Sequence, residues 1–269
     1  ISSSKLKKVI HTTTRGWLSW FTGTGKLNRE ILKMDAEMIK GAYYNKGFLE
    51  VKIKEPEVKI ADGGKSIYIT FRVDEGPQYT VTSVDITGDF IESKKKMMGL
   101  LKTEPEKIYS SSNVRGDVMA LTDIYSDKGY AYVDVAPLTK LDKKKKTVSI
   151  IYNIDKGIKA FFGRIRISGN MSTRDNVIRR NLAFAEGEVF SGRRLKASRR
   201  RLKETGLFKE ADIKTRKSPK KSDVVDVDVK VEEGKWGSFG IGAGYSTQEN
   251  LMLTGSIEHK NLFGRGYKA

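Results

Sequence analysis

The chain has 269 residues, no cysteine and a formal net charge of +18. Without cysteine it has no disulfide bond, no thiolate metal site and no cysteine nucleophile, and no run of apolar residues is long enough for a membrane-spanning helix. The excess of lysine and arginine indicates either solvated surface residues or attraction to anionic lipid, acidic proteins or nucleic acid.

A short pattern recurs three times along the chain: the last turn of a helix, a glycine and an extended segment. The three glycines are Gly47, Gly129 and Gly206, which are 82 and 77 residues apart. Glycine is typical of this position because it adopts the left-handed backbone conformation without a Cβ penalty. The nearly constant spacing predicts three structural repeats of about 75–80 residues.

Each of these glycines is followed by a segment in which apolar residues alternate with polar ones. Period-two alternation is typical of a strand with one buried and one exposed face. The last apolar residue of the segment lies 26, 25 and 25 residues after the helix-ending glycine. The alternating residues are Ile67, Ile69, Phe71 and Val73 in the first repeat, Val148, Ile150, Tyr152 and Ile154 in the second, and Val225, Val227, Val229 and Val231 in the third.

Residues 1–76 form the first repeat and contain no sequence for an initial strand, so we expect the native chain to extend upstream. Residues 17–23 include Trp17, Trp20 and Phe21 and are either an exposed protein-binding patch or a cover for the helices. Residues 48–54 predict an edge strand, and an open edge can pair with an incoming extended chain. The candidate edge comprises Phe48, Leu49, Glu50, Val51, Lys52 and Ile53.

Residues 77–157 and 158–234 each predict the order β-α-α-β-β. The second repeat predicts a strand at 81–88 and helices at 93–101 and from 113 onward. The third predicts a strand at 161–168, a first helix capped by Thr173 and a second helix that begins at Ser191. Because Pro77 follows the first repeat and no proline follows the second, we expect the second joint to bend more.

The third repeat carries half of the net charge, with 20 basic and 11 acidic residues between positions 158 and 234. Such an excess favours contact with anionic lipid headgroups or with an acidic partner. The arginines that we assign to a candidate partner-binding or membrane-facing surface are Arg179, Arg180, Arg199, Arg200 and Arg201.

The composition changes after residue 234, because residues 235–269 contain seven glycines and only four basic residues. Two segments of about ten alternating residues, joined by a short polar turn, are typical of the opening hairpin of a transmembrane β-barrel. One hairpin does not complete a barrel, so we expect the native chain to continue past Ala269. The residues predicted to face lipid are Phe239, Ile241, Tyr245, Leu251, Leu253 and Ile257.

The sequence does not support catalysis, a cofactor or a metal site. Glycines at 240, 242 and 244 suggest a dinucleotide-binding turn, but that motif needs a helix after it and an alternating strand follows instead. His11 and His259 have no carboxylates near them at metal-ligand spacing. The repeat order and the basic charge suggest an RNA-binding KH domain, but the second and third repeats lack its Gly-x-x-Gly loop. We therefore expect a non-enzymatic protein without a nucleic-acid partner.

The repeats resemble POTRA domains, which precede the β-barrel in a family of outer-membrane assembly proteins. The resemblance rests on the three β-α-α-β-β units, on their glycine helix exits and their acidic, glycine-terminated last strands. It rests also on residues 261–267, Asn-Leu-Phe-Gly-Arg-Gly-Tyr, which match the family's turn after the second barrel strand. It implies an α+β fold with POTRA domains 3, 4 and 5 at residues 1–76, 77–157 and 158–234, followed by the first barrel hairpin at 235–269.

The resemblance also implies a location in the Gram-negative outer membrane, with residues 1–234 in the periplasm. It implies a non-enzymatic function in folding and inserting β-barrel proteins, with unfolded outer-membrane proteins, assembly-machinery lipoproteins and outer-membrane lipid as partners. TamA-like proteins and two-partner secretion transporters of the same superfamily are the alternative. A periplasmic scaffold that binds only fixed partners is a third interpretation.

Overall fold

The computed structural model describes residues 1–12, 28–61, 66–246 and 250–267. The aromatic segment 17–23 and the hairpin turn at 247–249 lie outside the described residues. The chain divides into two compact units, Ile1–Leu121 with Val135–Ile154 and Thr122–Asp134 with Asp155–Ala269. The first unit contains the first repeat and the sheet of the second, and the second unit contains the third repeat and the terminal hairpin.

The first repeat has two helices and two small antiparallel sheets. Its elements are helices α1 (Ser3–Lys7) and α2 (Arg29–Tyr44) and strands β1 (Lys52–Ile53), β2 (Glu57–Ala61), β3 (Ser66–Thr70) and β4 (Val73–Asp74). Strand β1 pairs with β4, and β2 pairs with β3. Helix α2 begins after Asn28, whose side-chain oxygen accepts hydrogen bonds from the N–H groups of Glu30 and Ile31 and so satisfies two free donors of the first turn.

The alternation predicted for the first repeat is only partly correct. The structure divides the predicted strand into β3 and β4, and Ile67 is 41% exposed. The core of this repeat is centred on Ile39, Tyr43 and Val51 and extends as far as Phe71. The hairpin of β2 and β3 projects beyond this core, so the period of two predicts the strand but not its burial.

The second repeat has the predicted three-stranded sheet, which covers a well-packed core. Its elements are β5 (Thr80–Gly88), α3 (Lys94–Met98), α4 (Ser111–Asp127), β6 (Asp134–Asp142) and β7 (Thr147–Asp155). The strand order is β5-β7-β6, with β5 parallel to β7. The predicted alternation is confirmed in the central strand, where four side chains are at most 2% exposed: Val148, Ile150, Tyr152 and Ile154.

A buried aspartate fixes the loop before the second helix of this repeat. Asp117 is fully buried and accepts hydrogen bonds from the N–H groups of Lys102 (2.6 Å) and Thr103 (3.1 Å) and from the Tyr152 hydroxyl (2.8 Å). Burial, together with the hydrogen bond to Asp117, raises the pKa of Tyr152. Asp35 occupies the same position in the first repeat, 12 residues before the helix-ending glycine.

The third repeat has the same topology, and its core contains buried residues from all three strands and both helices. Its elements are β8 (Phe161–Ser168), α5 (Asp175–Arg179), α6 (Gly192–Glu204), β9 (Phe208–Lys217) and β10 (Val224–Glu233), with strand order β8-β10-β9. The four alternating valines of β10 are at most 3% exposed, which confirms the prediction. Ser191 caps α6 as predicted, because its hydroxyl oxygen accepts a hydrogen bond from the N–H of Arg194 (3.3 Å).

The predicted cap of the first helix in this repeat is wrong. Helix α5 begins after Arg174, and Thr173 lies outside it. The N–H of Thr173 donates to the Glu233 carboxylate (2.7 Å), and its hydroxyl accepts from the side-chain amide of Asn261 (2.9 Å). These partners are 60 and 88 residues away in sequence, so a local capping pattern does not reveal them.

The last two strands, β11 (Gly237–Ser246) and β12 (Asn250–His259), form an antiparallel hairpin. Residues 260–267 then return to the third repeat. The carbonyl oxygen of Gly264 accepts from the N–H of Arg174 (3.0 Å), and that of Arg265 from the Arg180 guanidinium (3.0 Å). In the described ranges no helix is both long and apolar enough to cross a membrane.

The three helix-ending glycines have the predicted left-handed conformation, with φ of 81°, 104° and 69°. At Gly47 this conformation also permits close approach, because a Cβ would lie 2.8 Å from the carbonyl oxygen of Tyr79. The position therefore requires glycine for two reasons.

We predict that Asp117→Ala destabilises the protein by about 3 kcal/mol, because it leaves two buried N–H donors and one phenolic hydroxyl without partners. Tyr152→Phe removes a single hydroxyl donor, so we expect a cost of about 1 kcal/mol. The measurement is urea unfolding of the whole chain followed by circular dichroism. Arg115→Ala, at an exposed position on the same helix, is the control, and an equal cost for Asp117→Ala and Arg115→Ala would contradict the prediction.

Candidate functional surfaces

The structure corrects the extent of the predicted edge strand. Of residues 48–53, only Lys52 and Ile53 lie in a strand. The N–H of Phe48 donates to the carbonyl oxygen of Tyr43 (3.1 Å), so the backbone after the glycine completes the end of α2 before it becomes extended. The four residues for which the strand prediction is wrong are Phe48, Leu49, Glu50 and Val51.

The side chains of this turn pack inward or toward the second repeat. Val51 is only 6% exposed, and the ring of Phe48 contacts that of Tyr43 edge-on, with centroids 5.6 Å apart. Glu50 accepts a hydrogen bond from the Tyr79 hydroxyl (3.0 Å) and forms an ion pair with Lys143. The Lys143 ammonium and then the Tyr79 hydroxyl hold the pKa of Glu50 below its usual range.

An open edge is nevertheless present, displaced toward β1 and β2. The N–H of Lys54 donates to the carbonyl oxygen of Arg72 (3.0 Å), and because successive residues of a strand point their backbone groups to opposite sides, those of Ile53 point away from β4. In the described part of the chain, β1 pairs only with β4 and β2 only with β3. Beside this edge, Ile60 is 67% exposed and Tyr68 is 60% exposed.

The side chains of Arg179 and Arg180, at the end of α5, donate to backbone carbonyl oxygens, as does that of Arg199 of α6, which lies 2.7 Å from the carbonyl oxygen of Ile213. The guanidinium of Arg179 donates to the carbonyl oxygen of Ile165 (3.1 Å), which ties α5 to strand β8. The guanidinium of Arg180 donates to the carbonyl oxygen of Arg265, which ties α5 to the segment after the hairpin. Both side chains therefore contribute to local structure.

The other three candidate arginines are exposed on helix α6. Arg199 lies 3.1 Å from a carboxylate oxygen of Asp212, and Arg200 lies 3.6 Å from one of Glu204. The side chain of Arg201 has no ion pair or hydrogen bond within the described residues. The basic surface is thus partly neutralised by its own acidic neighbours, and such exposed pairs are weak.

The hairpin places the predicted lipid-facing residues on one face. In its register Phe239 lies opposite Ile257, Ala243 opposite Leu253, and Tyr245 opposite Leu251. Residues i and i+2 share a face of a strand, so all six positions are on the same side. The four whose side chains are described, between 68% and 81% exposed, are Phe239, Ile241, Leu253 and Ile257.

The structure also shows the surroundings of the glycines that suggested a nucleotide site and of the acidic and histidine side chains that could bind a metal. Glycines 240, 242 and 244 lie inside strand β11, so no helix opens there to receive a nucleotide phosphate. Among residues 1–12, 28–61, 66–246 and 250–267, no three acidic or histidine side chains are grouped so that they could hold a metal ion.

The side chains that join consecutive repeats are not evident from the sequence. Asn45 and Asp127 each contact the second helix of the following repeat. Their common feature in the sequence is their position, because both lie two residues before a repeated glycine. Polar residues are common at helix ends whether or not they contact a neighbouring repeat, so this signal alone does not identify the contact.

Comparison with known proteins establishes the family. A family model described as "POTRA: Surface antigen variable number repeat" matches residues 1–76, 79–157 and 160–234. The chain belongs to the POTRA family. The family and its α+β repeat fold are therefore as the sequence predicted.

The curated relatives that the chain resembles include outer membrane protein assembly factors. BamA of Nitratidesulfovibrio vulgaris is 33% identical over 273 residues, which cover 100% of this chain and 34% of the relative. BamA of Neisseria meningitidis serogroup B is 26% identical over 269 residues, with the same two coverages. The chain thus spans about a third of the length of these relatives.

Solved structures of POTRA domains have the same fold. The crystal structure of Haemophilus influenzae BamA POTRA3-5 matches with a TM-score of 0.75 at 23% identity and covers 87% of this chain and 91% of that one; it supports the fold alone. BamA from Haemophilus ducreyi lacking POTRA domains 1–3 matches with a TM-score of 0.61 at 25% identity, over 71% of this chain and 36% of that one. The predicted resemblance to the POTRA region of BamA, and with it a location at the outer membrane with periplasmic POTRA repeats, is confirmed.

We predict that the hydrogen bond between Tyr43 and Glu75 makes the stability of the protein depend on pH. The Tyr43 hydroxyl donates to the Glu75 carboxylate (2.7 Å), and burial, followed by this hydrogen bond, raises the pKa of Tyr43 to about 12. The folded value lies above the unfolded value near 10, so the stabilisation is complete below pH 10 and is lost as the pH rises through 12. This group alone should contribute a loss of about 2–3 kcal/mol.

Urea unfolding of the native chain and of Tyr43→Phe between pH 9 and about 12 measures this effect. The stability difference between the two proteins should shrink as the pH rises. Tyr44→Phe is the matched control, since it removes a neighbouring phenol from the same helix. A pH-independent difference between the native chain and Tyr43→Phe would contradict the assignment.

Proposed function

We propose that this chain forms the periplasmic part of an outer membrane protein assembly factor. In this function it receives unfolded β-barrel clients, docks partner lipoproteins and helps insert the clients into the outer membrane, without catalysing a reaction. The names of the relatives support the general role. The open edge of β1 and β2 is the observation that carries the client-binding part of the proposal.

Backbone pairing explains how one surface can accept many clients. An extended chain that adds to a sheet edge forms main-chain hydrogen bonds, which every sequence offers, while side-chain contacts supply only modest selectivity. Lys52 and Ile53, together with strand β2, present such an edge, and Ile60 with its cross-strand neighbour Ile67 provides exposed apolar surface on one face for the alternate side chains of a barrel strand. Phe48–Val51 shape the turn that precedes this edge.

Proline and positive charge, which oppose pairing at an open edge, occur at the edges of all three repeats. Residues 52–61 contain Pro56 and three lysines, strand β6 contains Pro137, and strand β9 carries Lys209, Lys214, Arg216 and Lys217. These features do not distinguish the three edges, so the binding experiment has to locate the receptor among them.

We predict that peptides of about ten residues with barrel-like alternation bind the native chain and shift the amide NMR signals of β1 and β2. A scrambled peptide that keeps the alternation should bind about as well, because pairing does not depend on side-chain order. The matched control is the same peptide with N-methyl groups on the amides of its pairing edge, which should bind at least about fivefold more weakly.

Each outcome of this experiment discriminates between the interpretations. Shifts confined to β1 and β2 that disappear on N-methylation support a receptor for unfolded clients. Shifts that are absent from every edge amide would support the scaffold interpretation, in which the repeats bind only folded partners.

The basic face of the third repeat supports a second part of the proposal. Arg199, Arg200 and Arg201 remain exposed on α6, and Arg201 has no acidic partner within the described residues. We assign this face to the docking of an acidic lipoprotein surface or to anionic headgroups. Arg179 and Arg180 contribute to it mainly by holding α5 in place.

The hairpin supports a third part, the start of a transmembrane β-barrel whose lipid-facing residues include Phe239 and Ile241. The opposite face carries Thr254 and Ser256 across from glycines of β11, as expected of the inner face of a barrel.

We predict that Ile241→Lys weakens folding of the full-length protein into lipid vesicles by about 2–4 kcal/mol if the position lies near the bilayer centre, and less near the interface. Ser256→Lys, on the other face, should cost less than about 1 kcal/mol. The measurement is urea-dependent folding in vesicles of one lipid composition. A larger cost for Ser256→Lys than for Ile241→Lys would reverse the assignment of the two faces.

A further inference from the structure

The two joints between repeats are built from the same backbone contact at equivalent positions. The carbonyl oxygen of Gly47 accepts a hydrogen bond from the N–H of Tyr79 (2.8 Å), and that of Gly129 accepts one from the N–H of Ala160 (2.8 Å). Each donor lies at the start of the following repeat. The end of one repeat's second helix is thus bonded directly to the next repeat.

A side chain two residues before each glycine makes a second equivalent contact. The side-chain oxygen of Asn45 accepts from the N–H of Ser112 (2.8 Å) and from the hydroxyl of Ser111 (2.7 Å). Ser112 is the second residue of α4. The contact therefore satisfies one of the N–H groups that a helix leaves without an internal partner.

The second joint repeats this arrangement. A carboxylate oxygen of Asp127 accepts from the N–H of Arg193 (2.6 Å), the second residue of α6, and from the hydroxyl of Ser191 (3.2 Å). Lys196 on the same helix forms hydrogen bonds of 2.7 Å with both carboxylate oxygens of Asp123. Gly192 lies so close to Ser126 that a Cβ would overlap the serine hydroxyl.

The charge of Asp127 identifies which helix it serves. It is the last residue of α4, and a negative charge at a helix C-terminus opposes the helix dipole. At the N-terminus of α6 the same charge is favourable. Its position is therefore explained by the neighbouring repeat and not by its own helix.

We propose that Asn45 and Asp127 are inter-repeat N-caps, positioning residues that hold the second helix of the following repeat against the end of their own. This inference does not depend on the proposed client-binding function. Both joints carry a cap and an ion pair between repeats, Glu50 with Lys143 at the first and Asp123 with Lys196 at the second, so the expectation that the second joint bends more rests on Pro77 alone.

The third repeat provides a natural control. Glu204 lies two residues before Gly206, but its ion pair is with Arg200 of the same helix. A Cβ on Gly206 would have no neighbour within 4 Å among the described atoms. The same sequence position is therefore present without an inter-repeat contact.

The absence of native cysteine permits clean spin labelling of the whole chain. Cysteines at Glu37 and Arg115 report on the first joint, and cysteines at Arg115 and Arg200 report on the second. We expect Asn45→Ala to broaden the distance distribution across the first joint only, and Asp127→Ala across the second only. In each case the population of undocked joints should rise about fivefold.

Conservative variants separate capping from general destabilisation. Asn45→Asp and Asp127→Asn keep an acceptor oxygen, so both should retain the narrow native distribution, and Glu204→Ala should broaden neither joint. If an alanine variant loses its circular dichroism signal, Ser112→Pro tests the first cap from the donor side, because proline is tolerated in a first helical turn and lacks the N–H. It should broaden the first joint.

Two results would overturn the proposal. One is an unchanged distribution in both alanine variants. The other is broadening by Glu204→Ala equal to that by Asp127→Ala, since the ion pair of Glu204 is with Arg200 of its own helix.

Discussion

The hydrogen bond accepted by the carbonyl oxygen of a left-handed glycine links one repeat to the next. At Gly47 and Gly129 the distance to the following N–H is 2.8 Å, and at Gly47 a side chain would collide with the next repeat. The backbone of this one residue therefore both ends a helix and bonds to the next repeat. Because the first strand of the following repeat starts from this bond, the position of each sheet depends on where the preceding helix stops.

The sequence predicted burial correctly for strands that helices cover along one entire face. The apolar residues of β7 and β10 are almost fully buried, because helices cover the face on which the period of two places them. The same period in the first repeat leaves Ile67 exposed, since the described core of this repeat extends along these strands only as far as Phe71. Alternation therefore reports that a strand forms, whereas burial depends on the size of the opposing layer.

The failed predictions share a different physical cause. Thr173 is a good local cap, yet its N–H and hydroxyl bind Glu233 and Asn261, which come from the other end of the repeat and from beyond the hairpin. Phe48 alternates like a strand residue, but its N–H closes the preceding helix. In both cases a tertiary or helix-terminal hydrogen bond replaces the one that local sequence suggests.

The contacts between repeats are hidden from the sequence for a related reason. A proline in a linker can be read directly from the sequence. The cap formed by Asp127 cannot, because it acts on a helix some 65 residues further along the chain. Most of the fold was therefore accessible from periodicity and glycine spacing, while the polar contacts that orient one repeat on the next were not.

In the proposed function, the backbone groups that β1 and β2 leave open are the ones that a client would pair with. In the described residues β1 pairs only with β4 and β2 only with β3. An extended client that pairs with β1 and β2 would add main-chain hydrogen bonds along this edge and would stabilise the repeat by mass action. The three-stranded sheets of the second and third repeats also keep edge strands, so an open edge alone does not make a receptor, and the side chains beside the edge decide which extended chains it accepts.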